Sequence, residues 1–249
     1  MITAAAFAFI LLGAAIKGII GIGLPMIAIP MLTLVVGLQD ALAIVALPML
    51  VANAWQVWQF RNGGAERVPM GSFLLSGAVG LALGTWLLAR VPGAWLEMML
   101  GLLLVAYLYQ RLASPDLTLP KQQAVRLAPV AGFSSGALHG ATGISGPIGI
   151  TYFHSMRQTR PDFIYCTGLM FLGFTVIQVP MLATAGFLTT KTLLIGLICI
   201  PAVILGLTLG NAAASRVDAR LFDRLVFVVL LWTSLSLLWP TVSGWLGIV

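Results

Sequence analysis

Apolar runs of about 18 to 25 residues follow one another along the whole chain, and they limit its fold more than any other feature. The 249 residues are 60% hydrophobic and only 8% charged, and their mean hydropathy is +1.05. A soluble domain carries roughly 25% charged residues. Because lipid cannot pair with backbone N–H and C=O groups, segments of this length are expected to be helices. The composition therefore predicts an all-α polytopic membrane protein, embedded in a lipid bilayer.

One polar stretch, ASPDLTLPKQQ at 113–123, divides the apolar segments into two groups of five. A first transmembrane repeat is predicted over 1–112 and a second over 124–249. Segments 24–37 and 146–156 are short for full spans, so they either cross obliquely or re-enter, and eight to ten helices are expected. The ten segments lie at about 2–20, 24–37, 41–60, 70–89, 93–112, 124–142, 146–156, 162–187, 192–214 and 220–247.

A shift of 122 residues aligns the two halves and indicates an internal duplication. It places KGIIGIGLP, residues 17–25, on HGATGISGP, residues 139–147. Glycine matches arise easily by chance in a chain with 27 glycines, whereas Asp, Gln and Pro matches in one register do not. Outside the two motifs, the shift pairs Asp40 with Asp162, Gln56 with Gln178, Gly64 with Gly186 and Gly84 with Gly206.

The basic residues of equivalent loops indicate that the two repeats are inverted. Arg61 follows the third segment, while the equivalent loop at 183–190 carries no Lys or Arg. The opposite holds for loop 36–40, which has neither, and for its counterpart with Arg157. By the positive-inside rule, the linker 113–123 is then cytoplasmic and both termini lie on the outer side. Inverted repeats of this kind are typical of secondary transporters.

Each motif joins a glycine-rich break to a proline, and proline suits the first turn of a new helix. One helix is expected to end near Gly21 or Gly143, and the next to begin near Pro25 or Pro147. The free N–H groups and positive dipole end of the new helix would then lie at membrane depth. Two such ends near the repeat interface predict an anion-binding site. The alternative is that the glycines only let helices pack closely.

Lys17 and His139 stand at equivalent positions, each directly before a glycine break. An ionisable residue within a span is costly and is by default a functional candidate. The acidic residues lie at or near segment ends, so we expect the cation to bind an anionic substrate. The predicted substrate-binding residues are Lys17, Gly21, Gly23, Pro25, His139, Thr142, Gly143, Ser145, Gly146 and Pro147.

Other polar residues in the apolar segments have more ordinary interpretations. Asp40 and Asp162 are predicted to cap the N-termini of their helices. Cys166 and Cys199 form no CxxC motif, so neither a disulfide nor a metal site nor a cofactor is predicted. Four side chains are secondary candidates that either line the cavity or form interhelical hydrogen bonds: Asn53, Gln56, Thr175 and Gln178.

The duplicated motif, KGIIGIGLPMIAIPML and HGATGISGPIGITYF, resembles that of the TauE/SafE sulfite-exporter family. The resemblance covers nearly the whole chain. It implies transport of sulfur-containing anions, such as sulfite, thiosulfate or organosulfonates, across the cytoplasmic membrane. The stretch GLQDALAIVALPML departs from the family pattern and leaves the substrate open.

The resulting prediction is a secondary transporter, specifically an exporter of small anions, that works by alternating access around a midplane site and is not an enzyme. Proton coupling through His139 is expected because imidazole titrates near neutral pH. The 13 Lys and Arg residues are scattered, which argues against a nucleic-acid partner. A drug or metabolite exporter of the same architecture, an anion channel, and a membrane-embedded redox or lipid-modifying enzyme stay open as alternatives, as does a homodimer.

Overall fold

The computed structural model describes residues 2–62, 70–113, 118–214, 227–228 and 230–240, and its regular elements in this part are all helices. The predicted all-α fold is therefore confirmed. Gly64, residues 114–117 of the linker and both ends of the tenth segment lie outside the described residues. The helices are α1 (Ile2–Ile20), α2 (Leu24–Val36), α3 (Leu38–Gln59), α4 (Gly71–Arg90), α5 (Gly93–Ala113), α6 (Lys121–Thr142), α7 (Thr151–His154), α8 (Arg160–Thr184), α9 (Thr190–Ile198), α10 (Ile200–Ala213) and α11 (Leu230–Pro240), with a π-helical turn, Gly146–Ile150, directly before α7.

Six helical stretches are long and apolar enough to cross a membrane: Ile2–Ile20, Leu38–Gln59, Gly71–Arg90, Gly93–Gln110, Arg160–Thr184 and Thr190–Ala213. The last of these combines α9 and α10. Large apolar side chains point outward from the bundle, and Leu75 and Val130 are 75% and 64% exposed. Such a surface is suited to lipid and not to water. These features confirm a polytopic membrane protein.

The helices pair across the predicted halves in a reciprocal pattern. α4 packs along α6, α1 packs along α10, and α3 lies against α8 in the centre. Under the shift of 122 residues, α1 corresponds to α6, α3 to α8, and α4 to the α9–α10 stretch. Each of the two outer pairs thus joins the fourth helix of one half to the first helix of the other. The two halves share one packed core. Their origin as repeats and their inversion in the membrane stay predictions.

Glycines set the distance between the paired helices. A Cβ atom at Gly84 would collide with the carbonyl oxygen of Ala137, and one at Gly210 with that of Ala15. Ala15 and Ala137 are equivalent under the 122-residue shift, but Gly84 is matched by that shift to Gly206. In its packing, the counterpart of Gly84 is therefore Gly210, which lies one helical turn further on. The two halves therefore correspond by a shift of 122 residues at the breaks, and by a shift four residues larger in the fourth helix.

The starts of α3 and α8 differ from the sequence prediction. The N-cap of α3 is Gly37, and that of α8 is Thr159, whose hydroxyl accepts a hydrogen bond from the backbone N–H of Asp162 at 3.4 Å. The prediction that Asp40 and Asp162 are the caps is wrong, because both helices begin before these residues. The two carboxylates lie in the first turn, where they face the positive end of the helix dipole.

Replacing Gly84 by Ala tests the close contact of α4 and α6. We expect a loss of stability of about 1–3 kcal/mol, because the added methyl group forces two backbones apart. The matched control is Gly71→Ala, since Gly71 belongs to the same helix and no atom of the described residues lies within 4 Å of its Cβ position. Thermal unfolding of the purified protein in detergent measures both. Equal unfolding temperatures for the two variants would contradict the proposed packing.

Candidate functional site

The first helix of each half ends at a break, and both breaks lie at the predicted positions. α1 ends at Ile20 and α2 begins at Leu24, with Gly21 at φ +86° and Gly23 at φ +139° between them. α6 ends in the same way at Gly143, which has φ +73° and a left-handed conformation. Residues other than glycine are strongly disfavoured at these dihedral angles. The glycines therefore end the helices by their backbone conformation.

The chain resumes differently after the two breaks. In the first half, Pro25 is the second residue of α2, which has 13 residues and no side-chain cap at Gly23. In the second half, Gly146 and Pro147 open the π-helical turn, and α7 adds only four residues. Both prolines thus stand in the first turn of a new helical segment, as predicted. The second segment is shorter and starts with the wider π geometry.

The space beside the break glycines is filled by apolar side chains. A Cβ atom at Gly21 would lie 2.5 Å from Cγ1 of Ile164, and one at Gly143 would meet Leu42 and Ile29. Leu42 and Ile164 are equivalent under the 122-residue shift. At Gly21 and Gly143 the glycines therefore allow close helix packing, which is the alternative that the sequence left open.

Two equivalent glutamines bind the carbonyl groups at the ends of the broken helices. Gln56 Nε2 donates to the carbonyl oxygens of Gly21 at 3.1 Å and of Lys17 at 3.5 Å. Gln178 Nε2 donates to those of His139 at 3.2 Å and of Gly140 at 3.4 Å. Carbonyls in the last turn of a helix lack a full set of helical partners. Both side chains therefore stabilise the breaks from the third helix of their own half.

The side chain of Lys17 is buried at the centre of the bundle, with 1% of its surface exposed. Its ammonium lies over the ring of Phe171, 5.4 Å from the ring centroid. In the part of the chain that the structure describes, Nζ has neither a hydrogen-bond acceptor nor an ion-pair partner. A cation–π contact is thus the one described interaction that favours the charge.

His139 approaches the same aromatic ring from the other half of the chain. Its imidazole is fully buried and lies 5.8 Å from the ring centroid of Phe171 and 5.5 Å from that of Phe174. Within the described ranges, neither ring nitrogen has a hydrogen-bond partner. Lys17 and His139, predicted as an equivalent pair, therefore both lie next to the ring of Phe171.

Phe171 was not predicted from the sequence. A phenylalanine in an apolar helix carries no signal of its own, because such residues are usually core. The available signal was its spacing, since Phe171, Thr175 and Gln178 lie on one face of α8 at intervals of four and three residues.

The remaining predicted side chains divide by whether their polar atoms are already paired. Thr142 Oγ1 donates to the carbonyl of Leu138 at 2.7 Å and accepts from the N–H of Ile144 at 3.2 Å, so it is used within the break. Thr175 Oγ1 donates to the carbonyl of Phe171 at 2.7 Å. By contrast, both amide atoms of Asn53 and the hydroxyl of Ser145 are buried without a partner among the described residues.

Asn53 completes a group that we call the central site, formed by Lys17, Asn53, His139 and Phe171. It stands one turn before Gln56 on α3, so it lies on the face that meets the end of α1. Oε1 of Gln56 is also buried and unpartnered within the described part of the protein. The central site therefore combines one cation with several unused donors and acceptors.

The central site is closed to the outside. A cleft of about 350 Å³ does open between α5, α6 and α7, lined by residues that include Gln110, Val130 and Tyr152. No residue of the central site lines it, and the exposure of Val130 shows that it faces the lipid side. In the described part of the protein, all four residues of the central site are buried.

Comparison with known proteins gives one match. The family model described as "Sulfite exporter TauE/SafE" matches residues 5–237, which is most of the chain. No curated protein and no solved structure gives a significant match. The matched region includes both breaks, both glutamines and the whole central site. The chain is thus a member of the TauE/SafE sulfite exporter family of membrane transporters.

Proposed function

We propose that this protein is a secondary transporter of small sulfur-containing anions, which bind beside Lys17 in the central site. The proposal is carried by one observation, the buried ammonium of Lys17 with no carboxylate partner among the described residues. Membership of a sulfite exporter family supports the substrate class. Sulfite, thiosulfate and organosulfonates are the ions to be tested.

The energetics of the buried ammonium favour an anionic ligand. The idealised cost of moving an ion of this size out of water is about 20 kcal/mol, and a penalty of several kcal/mol remains after the protein relaxes. A cation–π contact returns about 0.5–2 kcal/mol. Lys17 is therefore undercompensated in the resting structure. An anion beside the ammonium supplies the missing attraction and leaves the pair neutral.

The start of α2 adds a second attractive element. Gly23, its N-cap, offers no side-chain acceptor, so the first N–H groups of α2 are available to a ligand. They carry the positive end of the helix dipole. Gly23 is also adjacent to α1, because a Cβ atom there would lie 3.4 Å from the backbone nitrogen of Lys17. The helix end and the lysine therefore belong to the same region.

The buried site and the pairing of helices across the two halves support an alternating-access mechanism. An ion enters from one side and leaves on the other if the α4–α6 and α1–α10 pairs move relative to the central α3–α8 pair. In this scheme the protein lies in the cytoplasmic membrane with the linker 113–123 inside and both termini outside. Export is coupled to protons, and His139 is the proposed proton-responsive group.

Replacing Lys17 by Gln tests the proposed anion site. We expect sulfite flux into proteoliposomes to fall at least tenfold, since an attraction of several kcal/mol is lost. Lys191→Gln is the matched control, because Lys191 is exposed in the first turn of α9.

The stability of the Lys17→Gln variant separates a lost site from a lost fold. Removing an unpaired buried charge should leave the unfolding temperature unchanged or raise it. Wild-type sulfite flux in a well-folded Lys17→Gln variant would exclude the proposed site.

The proposed orientation is tested by labelling single cysteines in intact cells. A membrane-impermeant maleimide should label R90C and K191C from outside, and should label R61C and R157C only after the cells are opened. The native thiols of Cys166 and Cys199 are fully buried, so the unmodified chain serves as the unlabelled control. Labelling of R61C in intact cells would reverse the orientation.

A further inference from the structure

We infer that the ion held in the central site is a monovalent oxyanion that keeps one acidic hydrogen, with its charge beside Lys17 and its hydrogen directed to His139. The inference rests on the proposed function and defines the protonation state of the transported ion. It is carried by the count of charges and of unused hydrogen-bonding atoms around Phe171.

The central site contains one charged side chain, the Lys17 ammonium. Lys17 is buried there, while Asp162, the buried carboxylate of the described ranges, lies nine residues from Phe171, or about 13 Å along α8. Asp162 accepts a hydrogen bond from Thr159 Oγ1 at 2.9 Å. A monovalent anion neutralises the Lys17 ammonium, whereas a divalent one leaves a net negative charge in the middle of the bilayer. Burying an uncompensated charge is strongly unfavourable.

The other titratable groups on the helices around α1 and α6 do not alter this count. Glu97 stands in the second turn of α5, and the other charged ones stand in the first or last turns of their helices. An ordinary thiol or phenol is neutral near pH 7. These titratable groups are Asp40 on α3, Arg90 on α4, Glu97, Tyr107, Tyr109 and Arg111 on α5, Tyr152 and His154 on α7, Arg160, Asp162, Tyr165 and Cys166 on α8, Lys191 on α9, and Cys199 between α9 and α10.

The hydrogen-bonding inventory distinguishes a bare oxyanion from one that carries a hydrogen. A neutral imidazole has one donor and one acceptor nitrogen, and both nitrogens of His139 are buried and unused in the described structure. Oδ1 of Asn53 and Oε1 of Gln56 are further unused acceptors. A bare oxyanion only accepts hydrogen bonds, so these acceptors would stay unpaired. An ion with one acidic hydrogen accepts hydrogen bonds and also donates one, so it can pair with the acceptor nitrogen of His139.

Lys17 and His139 share one neighbour, the ring of Phe171. Its ring is 1% exposed and lies within 6 Å of both the Lys17 ammonium, at 5.4 Å, and the His139 ring, at 5.8 Å. In the inferred arrangement the ion lies beside this ring, with its charge toward the ammonium and its hydrogen toward the imidazole. Phe171 and Phe174 also exclude water, which strengthens the remaining electrostatic contacts.

The test compares three anions on the purified full-length protein. Binding of sulfite, methanesulfonate and sulfate is measured by calorimetry from mildly acidic to mildly alkaline pH. Sulfite changes from hydrogensulfite to its dianion over this range, methanesulfonate stays a monoanion without an acidic hydrogen, and sulfate stays a dianion. The ratio of sulfite to methanesulfonate affinity removes the titration of the protein's own groups.

We expect this ratio to fall about tenfold per pH unit once hydrogensulfite ionises, and we expect sulfate to bind at least tenfold more weakly than hydrogensulfite. A constant ratio, or sulfate binding as tight as that of hydrogensulfite, overturns the inference but leaves the proposed function, because anions still bind. If none of the three anions binds, both the inference and the proposed function are overturned.

A pair of histidine variants locates the acceptor. His139→Leu should lose the advantage of hydrogensulfite over methanesulfonate by roughly tenfold, the effect of one unpaired buried hydrogen-bonding group. His154→Leu should keep it, since His154 is exposed at the end of α7. An unchanged advantage in a folded His139→Leu variant overturns the assignment to His139, and the three-anion comparison on the wild-type protein needs no variant.

Discussion

A helix that ends inside a bilayer leaves backbone carbonyl and N–H groups that lipid cannot pair, and the centre of this protein is organised around that constraint. The carbonyl ends of α1 and α6 are bound by Gln56 and Gln178. At the second break, the hydroxyl of Thr142 donates to the carbonyl of Leu138 and accepts from the N–H of Ile144. The N–H groups at the start of α2 receive no side-chain acceptor. The breaks are therefore stabilised on their carbonyl side, and an anion at the start of α2 remains the proposal made above.

The glycines of this chain have two separate physical roles. Gly21 and Gly143 adopt positive φ angles and end helices, while their open sides are filled by apolar side chains. Gly84 and Gly210 belong to regular helices and let two backbones touch. Because of this second role, the helix pairs whose backbones come closest, α4 with α6 and α1 with α10, join different halves of the chain.

Much of the central site could be predicted because its residues break a rule of membrane helices. Lys17, His139, Gln56 and Gln178 are costly in an apolar segment, and their recurrence at one shift marks them as a set. Phe171 breaks no rule, since aromatic residues are common in such helices. The equivalent packing of Gly84 and Gly210, four residues away from the sequence alignment, could not be predicted either, because it depends on which helices pack against each other.

The sequence by itself determined the membrane class, the helical segments, the positions of the two breaks and the family, because hydropathy, glycine and proline act locally along the chain. Only the tertiary structure decided that Lys17 and His139 contact one aromatic ring, that the glutamines bind carbonyl groups, and that Thr142 is already paired. These facts depend on distances between helices that are far apart in sequence. Such distances arise from packing the whole core, and no local pattern encodes them.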